Sequence, residues 1–309
     1  MANPVTTGTS YNGEFAGKYI SAALLSASTL DKGLITIMPN VKHKSVIQKA
    51  AYGDIVANAS CSFSASGTLT LTERVIEPEE FQVNIELCKK DLHDTWQAAE
   101  MGFSAYSELP KTFEDFVIAH TAAKVAAKLE STIWEGADAN AGEFAGFSHL
   151  LNNDADVVDV TGTTVDASNV ITEMGKTVDA ISSNVYGEED LFIYVAPNVA
   201  RAYIRSLGGF GTSGLGANGV NAQGTTWFSN GALSFDGIPV VVAQGLGSNK
   251  MVAAQKSNLF FGTGLLNDTN EVKVLDMSNL DGSQNVRVIM RYTASVQTGI
   301  GGDIVWYKA

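Results

Sequence analysis

Two stretches of this chain alternate apolar and polar residues with period two. In TLTLTERVIEPEEFQVNIEL, Leu69 and Leu71 and then Phe81, Val83, Ile85 and Leu87 alternate with polar neighbours on either side of the interruption EPEE. Near the C-terminus, Val286, Val288, Met290 and Tyr292 alternate with Arg287 and Arg291. Such spacing makes one face of a strand apolar. The first stretch reads as a long two-stranded arm. A ribbon of two strands is marginal alone, so the face made by Phe81, Val83, Ile85 and Leu87 needs a cover. Another subunit and the arm's own domain are equally consistent with the residues. The second stretch turns at Gly299 to Gly302 into a last strand, and these final strands are expected to return to the lobe that holds the longest helix.

Helical spacing is clearest after Leu109. Ile118, Ala122, Val125, Leu129 and Ile133 form one stripe, Thr112 is the N-cap candidate with Asp115 three residues on, and Gly136 stops the run. A helix of about 22 residues, about 33 Å long, follows. Ile171, Met174, Val178 and Ile181 mark a second helix, LFIYVA an apolar strand, and Pro197 opens a helix through Leu207. IPVVVA, MVAAQ, NLFFG and EVKVL read as short strands after a glycine-rich loop, GGFGTSGLGANGVNAQG. Phe15, Tyr19, Ala23 and Ala27 give a short amphipathic helix on an N-terminal arm whose first 13 residues read as a flexible tail. The class is α+β, with no internal repeat.

Composition narrows the function classes. The chain has 309 residues, 45% of them hydrophobic, enough for two lobes or one lobe with arms. No apolar run approaches the roughly 18 residues of a membrane span, and MANPVTTGTSYNGEF has no export pattern, so a soluble, unexported protein is expected. Net charge is -13 and no basic run grips phosphates, which argues against sequence-specific nucleic-acid binding but not against enclosing a nucleic acid. Cys61 and Cys88, both in segments that read as strand, suggest a buried reduced pair over a disulfide or metal site.

Candidate chemistry is sparse. Gly209, Gly211 and Gly214 match GxGxxG, but a helix precedes them where a dinucleotide fold needs a strand before and a helix after. His43, His93, His120 and His149 are scattered, without HExxH or GxSxG. His120, Lys124 and Lys128 share one side of the long helix and read as a solvated or interface face. The acidic runs at Glu77, Glu79 and Glu80 and at Glu188, Glu189 and Asp190 lack the environmental contrast an acid–base pair needs. No catalytic, cofactor or metal site is expected, and no enzyme.

The strings TERVIEPEEFQVNIELCKKDL, LFIYVAPNVARAYIRSL and GIPVVVA with MVAAQKSNLFFGTG, in this order, resemble major capsid proteins of tailed bacteriophages with the Hong Kong 97 fold. The first string resembles in particular that of phages of Bacteroidetes hosts, including the crAss-like group. The resemblance implies an N-terminal arm (1–60), an extended β-hairpin loop over a neighbouring subunit (61–90), a peripheral domain with a spine helix (91–165), an axial α/β domain (166–264) and return strands to the peripheral domain (265–309). It implies hexamers and pentamers that enclose double-stranded DNA in a virion, assembled in the bacterial cytoplasm. Separate scaffolding, portal and cement or head-fibre proteins would assist. Glu73, Arg74, Glu77 and Glu79 are then candidates for register-setting contacts between subunits, and Phe81 and Val83 for apolar ones. No lysine lies between Lys49 and Lys89, so lysine cross-linking through the arm tip is not expected. The rival readings are a cellular nanocompartment shell of the same fold, a surface adhesin, and an oxidoreductase resting on the glycine match.

Overall fold

The computed structural model describes residues 27–41, 43–53, 55–56, 58–59, 61, 67–88, 111–207, 233–264, 273–278 and 282–309. The expected N-terminal helix, the glycine-rich loop, His93 and the start of the arm–helix link lie outside them.

The longest strand, β12 (Asn285–Thr298), organises a sheet ordered β1 (Thr36–Pro39), β10 (Leu259–Thr263), β12, β11 (Lys273–Asp276), with β4 (Glu79–Cys88) also paired to β12. The β4–β12 register follows from the alternation read in the sequence. Phe81, Val83, Ile85 and Leu87 stand opposite Tyr292, Met290, Val288 and Val286, so the two apolar rows merge into one face against the core. A slip of β4 by one residue would turn its apolar row to solvent while the β12 row stayed against the core, which is why the register is strongly specified. On the opposite face Arg287 donates to Glu86 Oε1 at 2.9 and 3.1 Å.

This pairing corrects the two-stranded arm expected from Leu69 to Leu87. β4 is a strand, but its partner is β12, and the surface that covers it belongs to its own domain. The strand before it, β3 (Leu69–Ile76), pairs instead with β2 (Ser45–Tyr52) in a separate two-stranded ribbon. Alternation reports which side chains share a face, not which strand lies alongside.

A second sheet has the order β5 (Val158–Thr161), β13 (Val305–Lys308), β9 (Met251–Gln255), β6 (Leu191–Val195), β8 (Ile238–Val242), β7 (Leu233–Phe235). The last strand therefore joins this sheet while β12 lies in the other, and the long helix reaches this sheet too, through Trp134 against Tyr194 at a ring-centroid distance of 5.4 Å; β10 sits with β12 rather than with β9. β13 suits the six-stranded sheet because Trp306 and Tyr307, both fully buried, fill its core. Tyr307 also donates to the Glu173 carboxylate at 2.7 Å. Burial alone would raise Glu173, but Lys176, Tyr307 and the Thr163 contact outweigh it and hold its carboxyl below the usual range.

The long helix, α2 (Lys111–Glu135), follows α1 (Ser28–Asp31) and runs 25 residues, about 37 Å. Ile118, Val125, Leu129 and Ile133 are buried and Ala122 lies at the stripe's edge, as the spacing predicts. Thr112 is already inside the helix rather than its cap. Gly136 ends the helix for a steric reason: a Cβ there would stand 2.4 Å from Phe144 O. Gly245 is also required, since its Cβ would meet Glu130 O at 2.0 Å where the loop after β8 touches the helix backbone.

Three shorter helices complete the fold: α3 (Phe147–Asn153), α4 (Val170–Asp179) and α5 (Pro197–Leu207). In α4 the buried residues include Val170, Met174 and Val178. Ile171 stands about 100° further round than Val170, at the stripe's edge, and is half exposed.

Candidate assembly surfaces

Eight residue pairs, from Ser45↔Ile76 to Tyr52↔Leu69, zip β2 to β3, and the Gly53 N–H to Thr68 O bond extends the ladder at 2.8 Å. The ribbon is about 26 Å long. Neither strand pairs with a third among the described residues. Opposed residues share a face, so Val46, Gln48 and Ala50 lie with Leu69, Leu71, Glu73 and Val75 on one side. That side is open: Leu71 is 69% exposed, Leu69 51%, Val46 46% and Val75 39%. Four large apolar side chains in one row around a single Gln48–Glu73 pair form an open apolar patch, the kind of surface that marks a candidate docking site.

The opposite face of the ribbon meets the body at its root. Ile76 is 1% exposed and packs over Gly262, where a Cβ would stand 2.8 Å from its Cδ1. Gln297 donates to Val75 O at 2.9 Å. Arg74 donates to Asp154 Oδ2 at 2.6 Å and to Thr298 Oγ1 at 3.4 Å.

The six residues proposed from sequence thus separate. Glu73 lies on the open apolar face. Arg74 is engaged within its own chain, and Glu77 pairs with Lys44 at 2.7 Å across the ribbon root, both half exposed. Glu79 begins β4; burial first, and then the Asp138 carboxylate, pushes its pKa up. Phe81 contacts the rings of Tyr292 and Phe144 at centroid distances of 5.4 and 6.0 Å. Val83 packs against the core of its own domain. Sequence reasoning missed Val46 and Ala50, which fall in the segment before Ser60 that reads only as an arm. The length match of β2 to β3 and the opposed charges of Lys44 and Glu77 were the available signals.

Other candidates resolve quietly. His120 and Lys124 are exposed on α2, whereas Lys128 binds Glu143, whose carboxyl is held down to about 2 by Lys128, Asn140 and the Ala137 N–H. Asp190 accepts from Ser257 Oγ at 2.5 Å and from Gln255 at 3.1 Å, so this acid braces its own sheet. Cys61 is exposed in a bend and Cys88 is partly buried at the end of β4; both are free, which corrects the buried pair. Among the described residues no group of three or more His, Cys, Asp or Glu is placed to hold a metal, and no helix is long and apolar enough to cross a membrane.

No protein-family model matches this chain, and no curated protein does. Solved structures do. The capsid of an empty GTA particle matches with a TM-score of 0.61 at 13% identity, over 91% of this chain and 89% of that one. A satellite phage P4 procapsid structure that includes its size determination protein matches at 0.54 and 12%, over 94% and 98%. A virus-like particle from Pyrococcus furiosus matches at 0.54 and 8%, over 96% and 98%. At these identities the likeness defines a fold: the mixed α+β fold of phage capsid proteins.

Proposed function

We propose that this chain is a structural shell subunit, not an enzyme, and that it self-associates through its ribbon. The observation that carries the reading is the open apolar row of Val46, Leu69, Leu71 and Val75, on a ribbon about 26 Å long that pairs with no third strand among the described residues. The near end-to-end likeness to capsid proteins supports it. In the full reading, hexamers and pentamers close an icosahedral phage head around double-stranded DNA without sequence-specific contacts. Many modest contacts then act together by avidity. The ribbon, 45–76, takes the role of the extended loop in place of 61–90, and α2 is the spine of the peripheral domain. The six-stranded sheet with α4 and α5 forms the axial domain. Scaffolding, portal and cement or head-fibre proteins are separate chains, assembly takes place in the host cytoplasm, and the source is a phage of a Bacteroidetes host, crAss-like or related. The likeness to the Pyrococcus furiosus particle supports a second reading, a cellular nanocompartment with protein cargo.

The test is electron microscopy of the full chain expressed with its neighbouring genes, beside a variant in which residues 49–72 are replaced by an Asn-Gly turn joining Gln48 to Glu73. Closed shells from the first and folded, unassembled subunits from the second are expected; DNA inside selects the virion and protein cargo the compartment. A parent chain that stays monomeric at high concentration, or a shortened one that closes normal shells, refutes the reading.

A further inference from the structure

Between the ribbon's underside and the body lies a cleft of about 270 Å³, walled by Ile47 and Lys49 on one side and Asn258, Phe260, Gly299 and Ile300 on the other. The ribbon therefore stands off the body along much of β2. What fixes its angle is concentrated in three consecutive residues of β3: Arg74, Val75 and Ile76. Val75 and Ile76 hold the strand where it leaves the body. Arg74 alone reaches sideways.

Its guanidinium ends at the turn between α3 and β5, on Asp154, whose side chain is 12% exposed, with Asp156 at 4.0 Å. Asp154 Oδ1 accepts the Asp156 N–H at 3.1 Å, which orients the carboxylate. The chain passing from β12 to β13 closes over this acid: a Cβ on Gly301 would lie 2.7 Å from Asp154 Oδ2. One side chain thus ties the ribbon to the end of β12 and to the turn that starts the six-stranded sheet. Glu77 and Pro78 link β3 to β4 without ladder bonds of their own.

We infer that Arg74–Asp154 is a latch that sets the angle between the ribbon and the body, with the Glu77–Pro78 link as pivot. Arg74 is thereby a positioning residue within its own subunit rather than a contact between subunits. Released, the ribbon swings away from the body, and its two-stranded ladder, marginal without that support, opens more often while both sheets stay folded. A charge-assisted pair of this geometry makes an effective latch because it is directional, and it is exposed enough to break without opening the core. The consequence for assembly rests on the shell reading, because the latched angle decides where the apolar row meets a neighbour. The motion itself does not.

Amide hydrogen exchange on the unassembled full-length subunit tests the latch. Arg74→Gln and Asp154→Asn each speed exchange about tenfold in residues 45–52 and 69–74, leave residues 79–88 and 285–298 protected, and the swap Arg74→Asp with Asp154→Arg restores ribbon protection. Unchanged ribbon exchange, loosening spread equally over β4 and β12, or failure of the swap to restore protection overturns the inference. A parent chain that never assembles would sink the shell reading while leaving this result standing, so the two failures are distinguishable.

Discussion

Leu71→Thr separates docking from folding. Leu71 is 69% exposed in the subunit, so there is little burial to lose there, and threonine keeps the β-propensity of the strand. The subunit's thermal midpoint should stay where it is, since exposed substitutions of this kind stay within about 0.5 kcal/mol. In the proposed docking a neighbour covers the position. Full burial of a leucine side chain is worth about 1.5–3 kcal/mol, and roughly two thirds of that is still available here, about 1–2 kcal/mol per contact. At 1.4 kcal/mol per factor of ten, that weakens each ribbon contact about 5- to 30-fold, and a ring multiplies the loss over its contacts. Sedimentation velocity across a concentration series reads the assembly threshold, and circular dichroism reads the melt. A threshold that does not move refutes the docking role of this face. A midpoint that falls by several degrees refutes the claim that Leu71 does nothing for its own chain.

Glu130, buried on α2, accepts from Thr29 N at 2.9 Å and from Thr29 Oγ1 at 2.6 Å, while Trp134 Nε1 donates to the same Thr29 Oγ1 at 2.9 Å. Glu130→Leu orphans both Thr29 donors and should cost about 1–3 kcal/mol for each one left buried, read as a lower urea midpoint; an unchanged midpoint would show that water replaces the carboxylate. Glu79 is favoured in its protonated form by burial and by Asp138. Because its folded pKa is raised, the favourable state is complete below the unfolded value of 4.5 and stability is lost as pH rises through the folded one. Glu79→Gln should therefore raise the melting temperature at pH 7 and change it little at pH 4; equal effects at the two pH values would rule out this proton linkage.

Strands and helices with a strong period were legible from residues alone. Pro197 opens α5 because a proline is harmless in a first turn, and Ile118 to Ile133 define the buried side of α2 because four-residue spacing stacks them. The rows of β4 and β12 were each legible too, and their union was not. They lie some two hundred residues apart in the chain, and either row would satisfy any apolar partner. The candidate site was half legible. The alternation of Leu69 and Leu71 is visible in the residues, but the stronger row, Phe81 to Leu87, outweighs it there and is the one the structure buries. The weaker row, interrupted by Glu73 and completed by Val46 from another strand, is the one left open.

The sequence by itself determined which residues could be buried together on each element and where elements stop. Tertiary structure decided which row met which: β4 went to β12, β13 went to the six-stranded sheet, and Arg74 turned inward to Asp154. The physical reason is that local preference is set by neighbours a few residues away, through backbone sterics and side-chain period. Exposure is set by competition among all apolar faces for a limited core, and that competition is settled only when the whole chain is packed.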